Sequence, residues 1–249
     1  MIVEYAAPSE GVGVIRLNRP ERLNAVTPAL VDGILHAFDR AAADQQRVLV
    51  LAGNGRAFCA GWDLKEPPIQ ESLDEARARL QRLQDVTRRT IDFAGPVISA
   101  VQGYALGAGA EFALGCDLIV AGDDAVFGFP EVEVGLSSTN GITALLPRMI
   151  GLVRAKELTL LGERIDAGRA YELGLVTRVV PAGAHELAAL ELAERLAAKP
   201  AAAMRLAKRL LDDGMQSTVS AALDAEVEAA LTTLNTGENA TASARFRDR

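Results

Sequence analysis

Two glutamates and two small-residue loops are the parts of this chain whose types and spacing suit proton-transfer chemistry. Glu111 closes the stretch GYALGAGAE (103–111), inside an otherwise apolar run. A carboxylate there is costly unless paired or protonated, which makes it a candidate acid or base. Glu131 follows Pro130 in FGFPEVEVG. Two positioned carboxylates can divide the work, one deprotonating water and the other delivering a proton. The loops supply a complementary element. Gly103, Gly107 and Gly109 allow a tight turn, and a helix starting near Gly107 or Ala108 leaves backbone N–H groups unpaired. Such donors can hold a developing negative charge. The stretch AFCAGWDL (57–64), with small residues around Gly61 after a strand, offers the same chemistry. Taken singly, either glutamate could be a surface acid and either loop only tight packing.

Other chemistries fit less well. GYALGAG has the G-x-x-x-G-x-G spacing of short-chain dehydrogenases, with Asp123 and Asp124 after the next hydrophobic run. However, the motif sits mid-chain, the helix room before Cys116 is short for a βαβ unit, and none of Tyr5, Tyr104 or Tyr171 has a lysine four residues later. The two histidines, His36 and His185, lie far apart without ligand spacing, which argues against a metal site or a Ser-His-Asp triad. Cys59 and Cys116, both in apolar surroundings, form no disulfide framework and read as buried thiols. A formal charge of −7 argues against a general nucleic-acid binder. No apolar run approaches membrane-spanning length, and the N-terminus lacks the pattern of a signal peptide, so a cytoplasmic enzyme is expected.

The 249 residues suffice for one sizeable core with an appendage. IVEYA and GVGVIRLN read as a hairpin turning at Pro8-Ser9-Glu10-Gly11. Thr27-Pro28 predicts a helix start, with Leu30, Ile34, Leu35 and Phe38 on its apolar face. RVLVLAG (47–53) is a short buried strand. Ser72 caps a charged helix over 72–94 with Leu73, Leu80, Leu83 and Val86 repeating along it, its arginines forming a solvated face. PVISAV and DLIVAG are further buried strands, and AVFGFPEVEVG reads as extended and interrupted by Pro130. Short helices follow in ITALLPRMIG, LVRAKELTLLG and IDAGRAYELG, then the strand LVTRVV. After Pro181 the composition shifts to Ala, Leu, Glu and Arg, predicting three amphipathic helices bordered by Pro200 and Gly214.

Taken together, these strings resemble the enoyl-CoA hydratase/isomerase, or crotonase, family. The resemblance runs from NRPERLNA (18–25) through AFCAGWDLKE, GYALGAGAEFALGCDLIVA, FGFPEVEVGL and LLPRMIG to AKELTLLGERIDAGRAYELGLVTRVVP, and nearly the whole chain is covered. It implies an α/β fold, a crotonase-like spiral of ββα units over residues 1–195, with a C-terminal helical segment, 196–249, that mediates trimers or dimers of trimers. It implies an acyl-CoA thioester as ligand, coenzyme A being part of the substrate, with no permanently bound cofactor and no metal. Carried over by position, the oxyanion-holding amides fall on Ala60 and Ala108 and the catalytic acids on Glu111 and Glu131. The pair of acids favours hydration of a 2,3 double bond, with isomerisation as the runner-up and a silent CoA- or partner-binding protein as the alternative of another class. Arg22, Leu23 and Ala25 match the stretch lining the nucleotide end of CoA. Gly61, Trp62, Asp63, Leu64, Tyr104, Gly107, Pro130, Gly135 and Leu136 complete the implied binding set. The chain departs from the family pattern at Trp62, which could wall the acyl pocket or pack outward. It departs again at LSSTNGIT, where Ser137, Ser138 and Asn140 could contact substrate or cap a helix.

Overall fold

The computed structural model describes residues 1–67 and 70–239. The chain opens with an antiparallel hairpin of β1 (Val3–Ser9) and β2 (Val12–Leu17). Its turn is tighter than expected, because Pro8 lies within β1, where the register shifts between Ala6 and Ser9. An edge strand with an irregularity tolerates a residue that has no N–H. Helix α1 (Pro28–Ala43) starts where the sequence predicts, with the Thr27 side chain accepting the Leu30 N–H, and it buries Leu30, Ile34, Leu35 and Phe38. Strand β3 (Val48–Gly53) is buried at every position, as a parallel strand covered on both faces must be. Helix α2 (Leu73–Asp92) begins with a capping box between Ser72 and Glu75. Of its expected apolar repeat, Leu83 and Val86 are buried, whereas Leu73 and Leu80 are exposed.

The central segment is β4 (Val97–Val101), β5 (Tyr104–Leu106), α3 (Ala108–Leu114), β6 (Leu118–Gly122) and β7 (Val126–Gly128). After Phe129 the chain is not extended but forms a 3-10 turn, Pro130–Val134, with Pro130 at its first position. Then come α4 (Ile142–Ile150), α5 (Leu152–Leu161), β8 (Arg164–Asp166), α6 (Ala167–Glu172), β9 (Arg178–Val180), α7 (His185–Ala197), α8 (Ala201–Gly214) and α9 (Val219–Asn235). Strands β5 and β8 have three residues each, too few to show a period in sequence.

One sheet runs β1-β2-β3-β4-β6-β9 and a smaller one β5-β7-β8. From β2 to β9 every pairing in the larger sheet is parallel. Strand β4 joins the large sheet, β5 the small one, and α3 follows; β6 and β7 repeat this, followed by the 3-10 turn and α4. A bridge between Cys59 and Ala105 extends the pattern back to the loop after β3. This is the ββα spiral that the resemblance implies. Between large sheet and outer helices sit Ile15, Leu49, Leu51, Phe58, Phe112 and Phe127. On the opposite face Val14, Val50, Ile98 and Val120 meet Ala189, Leu192 and Ala193 of α7. Truncating a buried phenylalanine in such a core costs about 3–5 kcal/mol, so the sheets form a stiff base for the loops above them.

Helices α8 and α9 pair with each other beyond this base. Lys208 ties α8 down, its Nζ 2.9 Å from Asp117 Oδ2 and 3.1 Å from the carbonyls of Thr90 and Gly95. Leu211, Met215, Val219, Leu223 and Leu234 stay exposed on the pair. Residues 240–249 of the expected C-terminal segment lie outside the described residues. Among the described residues no helix is long and apolar enough to cross a membrane.

Candidate functional site

The loop after β3 and the β5–α3 junction approach each other through glycine. At Gly61, φ is +87° and a Cβ would stand 2.8 Å from the Leu106 carbonyl oxygen. At Gly107, φ is +52° and a Cβ would stand 3.1 Å from Glu131 Oε1. Any side chain at either position would meet strain and a neighbour at once. The approach places several amides near one point, and their partners distinguish them. Cys59 N–H donates to the Tyr104 carbonyl at 2.9 Å, and Ala60 N–H to the Leu23 carbonyl at 3.0 Å. Gly61 N–H faces the Cys59 sulfur. Trp62 N–H has no acceptor among the described residues. The donor expected at Ala60 is therefore engaged in holding the loop, and the free one belongs to Trp62. On the other side, Gly107 N–H donates to Gly128 and Glu111 N–H to Gly107, each at 2.9 Å. Ala108, first residue of α3 and free of positive φ, keeps its amide unpaired, as helix starts do.

The two glutamates share a residue type and little else. Glu111, 1 % exposed, sits in the first turn of α3. Its Oε1 accepts the Thr139 N–H at 2.7 Å; its Oε2 accepts the Thr139 hydroxyl at 2.6 Å and the Asn140 amide at 2.9 Å. Glu131 is buried on the 3-10 turn, and its Oε2 has no partner among the described residues. Burial pushes the Glu131 carboxyl up to about 7; its own backbone N–H opposes this and the nearby Glu111 charge adds to it. Asn140 neither caps α4, whose N-cap is Gly141 without a side-chain bond, nor lines the cavity described next. It anchors Glu111 and accepts a hydrogen bond from the Thr87 hydroxyl at 3.2 Å.

A cavity of about 330 Å³ opens over these loops. It brings together the expected residues Ala60, Gly61, Trp62, Leu64, Gly107, Ala108, Pro130, Glu131 and Leu136. It also takes in Arg79, Leu80 and Leu83 of α2, with Val134, Ser137 and Thr139. Arg79, read from sequence as part of a solvated face, instead lies with its guanidinium 4.9 Å from the centre of the Trp62 ring. Glu71 holds it there through contacts of 2.6–3.1 Å. Trp62 is half-buried, packs against the core and lines the cavity, so the wall and packing roles coincide. Only the side chains around it could have signalled this, since Arg79 is remote in sequence and charged.

A second, wider groove of about 750 Å³ shares Trp62, Leu64 and Arg79 with the cavity and is lined also by Arg19, Asp63 and Thr27. Asp63 is 4 % exposed. Arg22 grips it at 2.9 and 3.2 Å, Arg19 at 3.1 Å and the Lys65 N–H at 3.1 Å. Burial pushes its carboxyl up, and these donors outweigh that and hold it below the usual carboxylate range. Of the other expected binders, Leu23 contributes its carbonyl to Ala60 and Ala25 is buried with its carbonyl on Arg19. Gly135 ends the 3-10 turn at φ +71°. Tyr104 is not brought to the cavity; it lies on β5 with the Arg164 guanidinium 5.7 Å from its ring centre. Glu111 does not line the cavity either, because Thr139 stands there. Both cysteines are buried, and burial pushes the Cys59 thiol up to about 12. Among the described residues no group of three His, Cys, Asp or Glu could hold a metal ion.

Comparison with known proteins matches this geometry to a sequence family. The model of the enoyl-CoA hydratase/isomerase family matches residues 7–249. The chain is 38% identical over 218 residues to the 2,3-dehydroadipyl-CoA hydratase of Escherichia coli (strain K12), covering 86% of this chain and 83% of that protein. It is 36% identical over 256 residues to the mitochondrial enoyl-CoA hydratase domain-containing protein 2 of Bos taurus, covering 100% and 86%. Among solved structures, the enoyl-CoA hydratase of Bacillus anthracis superposes with a TM-score of 0.94 at 33% identity, covering 100% of this chain and 96% of that one.

Proposed function

This chain belongs to the enoyl-CoA hydratase/isomerase family, and we propose that it adds water across the 2,3 double bond of an enoyl-CoA thioester. The observation that carries this is the meeting of two unpaired amides, on Trp62 and Ala108, with a carboxyl raised to about 7 on Glu131, all on residues lining one cavity. The Trp62 and Ala108 amides hold the thioester oxygen as it becomes an enolate, where donors fixed in advance contribute most. Glu131, protonated in a good share of molecules near neutrality, delivers its proton to C2. Glu111 takes up the proton released by water as C3 gains its hydroxyl. Leu64, Leu80, Leu83, Val134 and Leu136 give the acyl chain an apolar channel. The groove past Trp62, with Arg19 on its wall and Arg22 behind Asp63, takes the CoA handle. That handle supplies binding energy to orient the acyl group.

We infer a cytoplasmic location; its two free, buried thiols support a reducing compartment. The exposed apolar residues of α8 and α9 support a homotrimer or a dimer of trimers. The test is turnover of 2-enoyl-CoA substrates of graded length and branching, followed by loss of the conjugated thioester and identification of the 3-hydroxyacyl product. A second reading, double-bond isomerisation, is favoured by one observation: Glu131 lines the cavity and Glu111 does not. Conversion of 3-enoyl-CoA to 2-enoyl-CoA with no hydrated product would select it. Tight thioester binding with neither product would leave a silent binding protein.

A further inference from the structure

Glu111 is separated from the cavity by a single side chain. Thr139 lines the cavity, while Glu111 behind it is 1 % exposed and does not. The contact between them is short, 2.6 Å from Thr139 Oγ1 to Glu111 Oε2, the length of a hydroxyl donating to a charged carboxylate. Thr139 N–H fixes the other carboxylate oxygen at 2.7 Å, so neither group can turn away. Asn140 Nδ2 lies 2.9 Å from Glu111 Oε2 and 3.2 Å from Thr139 Oγ1. One amide thus serves whichever of the two oxygens carries more negative charge. Asn140 holds this position with φ at +50°, a region costly for most side chains and more accessible to asparagine. A buried base, a hydroxyl on a residue that lines the cavity and a shared donor offer a path for one proton.

We propose that the Thr139 hydroxyl is a catalytic residue that relays the proton of the attacking water to Glu111. The relay rests on the hydration reading above. As the water oxygen bonds to C3, one water O–H breaks and its proton passes to Thr139 Oγ1. The original Thr139 proton moves to Glu111 Oε2, and Glu131 gives its proton to C2. The substrate gains H and OH, Thr139 is unchanged, Glu111 is protonated and Glu131 ionised. Proton exchange with solvent after product leaves restores both. The 2.6 Å hydrogen bond survives the step with its direction reversed, Glu111 then donating to Thr139.

The test compares Thr139→Val, which keeps shape and the backbone N–H but removes the hydroxyl, with Thr139→Ser, which keeps the hydroxyl. Hydration of a short 2-enoyl-CoA is measured in H₂O–D₂O mixtures. Thr139→Val is expected to lose about 10²–10⁴-fold in kcat with KM changed by less than about threefold, and Thr139→Ser to recover to within about tenfold of wild type. Wild type should show a curved dependence of rate on deuterium fraction, as three protons move in one step, from water to Thr139, from Thr139 to Glu111 and from Glu131 to C2. The relay is overturned if Thr139→Val hydrates within a few-fold of wild type, if Thr139→Ser is as slow as Thr139→Val, or if the wild-type dependence is linear. The hydration reading fails separately, and takes the relay with it, if wild type itself forms no 3-hydroxyacyl product. Melting curves of both variants identify one that has not folded; in that case the serine variant and the isotope dependence of wild type decide.

Discussion

Glu111 and Glu131 are the same residue in two opposite settings. Around Glu111, at the start of α3, three donors converge on both oxygens. Around Glu131, on a 3-10 turn, one oxygen is buried without a partner, and desolvation raises the carboxyl to about 7. Donors stabilise a charge in place, whereas desolvation keeps a proton available. A site needing one acceptor and one donor of protons at the same pH can obtain both from one side chain by varying only its surroundings.

Replacement of the acids should break this contrast most strongly. Glu131→Gln and Glu111→Gln are each expected to lower hydration kcat by about 10²–10⁴-fold, with little change in the dissociation constant of the CoA thioester. In wild type, kcat/KM should fall as pH rises above about 7, because Glu131 must carry its proton. Near-wild-type turnover in either variant would remove the division of labour.

The same raised carboxyl predicts a stability effect of opposite sign to the activity effect. Glu131 binds its proton more tightly folded than unfolded, so its contribution is full below about 4.5 and lost as pH rises to about 7. Glu131→Gln lacks that loss. It should therefore be more stable than wild type at pH 8, by an amount on the order of 2 kcal/mol once solvent screening is allowed for, and nearly equal to it at pH 4. Denaturant unfolding at the two pH values checks this; a gap that does not narrow on acidification contradicts it.

On the Glu111 side, Asn140→Ala removes one donor, orphans the Thr87 hydroxyl and places alanine at positive φ. A loss of about 1–3 kcal/mol is expected, largely independent of pH between 6 and 8, in contrast to the Glu131 effect. Unfolding curves across that range provide the comparison.

The smallest expected effect separates the amide of Trp62 from its ring. Trp62→Ala keeps the N–H while opening the wall, so turnover of short substrates should persist. The ratio of kcat/KM for a branched over a linear 2-enoyl-CoA should rise about tenfold. An unchanged ratio with a lowered melting temperature would assign the ring to packing alone.

The fold was legible in the sequence wherever a signal was long or chemically specific. VLVLAG could only be a covered strand, and Thr27-Pro28 and Ser72 with Glu75 mark helix starts by their capping chemistry. The three-residue strands β5 and β8 and the turn carrying Glu131 were not legible, since their conformation is set by neighbours rather than by a run. The donor at Trp62 shows the limit more sharply. The family resemblance put the donor on Ala60, but which amide is free depends on the Leu23 carbonyl, remote in sequence and presented from a residue at φ 53°. Thr139 was hidden for the same reason: a hydroxyl among SSTN gains meaning only once folding sets it against Glu111.

Helix α2 supplies Arg79, Leu80 and Leu83 to the cavity but neither acid nor free amide. The proton-handling groups and the free amides all sit on segments leaving the two sheets. Heredity can therefore treat Leu80 and Leu83, though not Arg79 against Trp62 or Thr87 against Asn140, as a trait separate from the reacting centre. Changes at Leu80 and Leu83 would redraw which acyl groups are admitted without replacing either acid or either free amide. A lineage carrying this arrangement has room to diversify its diet of thioesters by small steps.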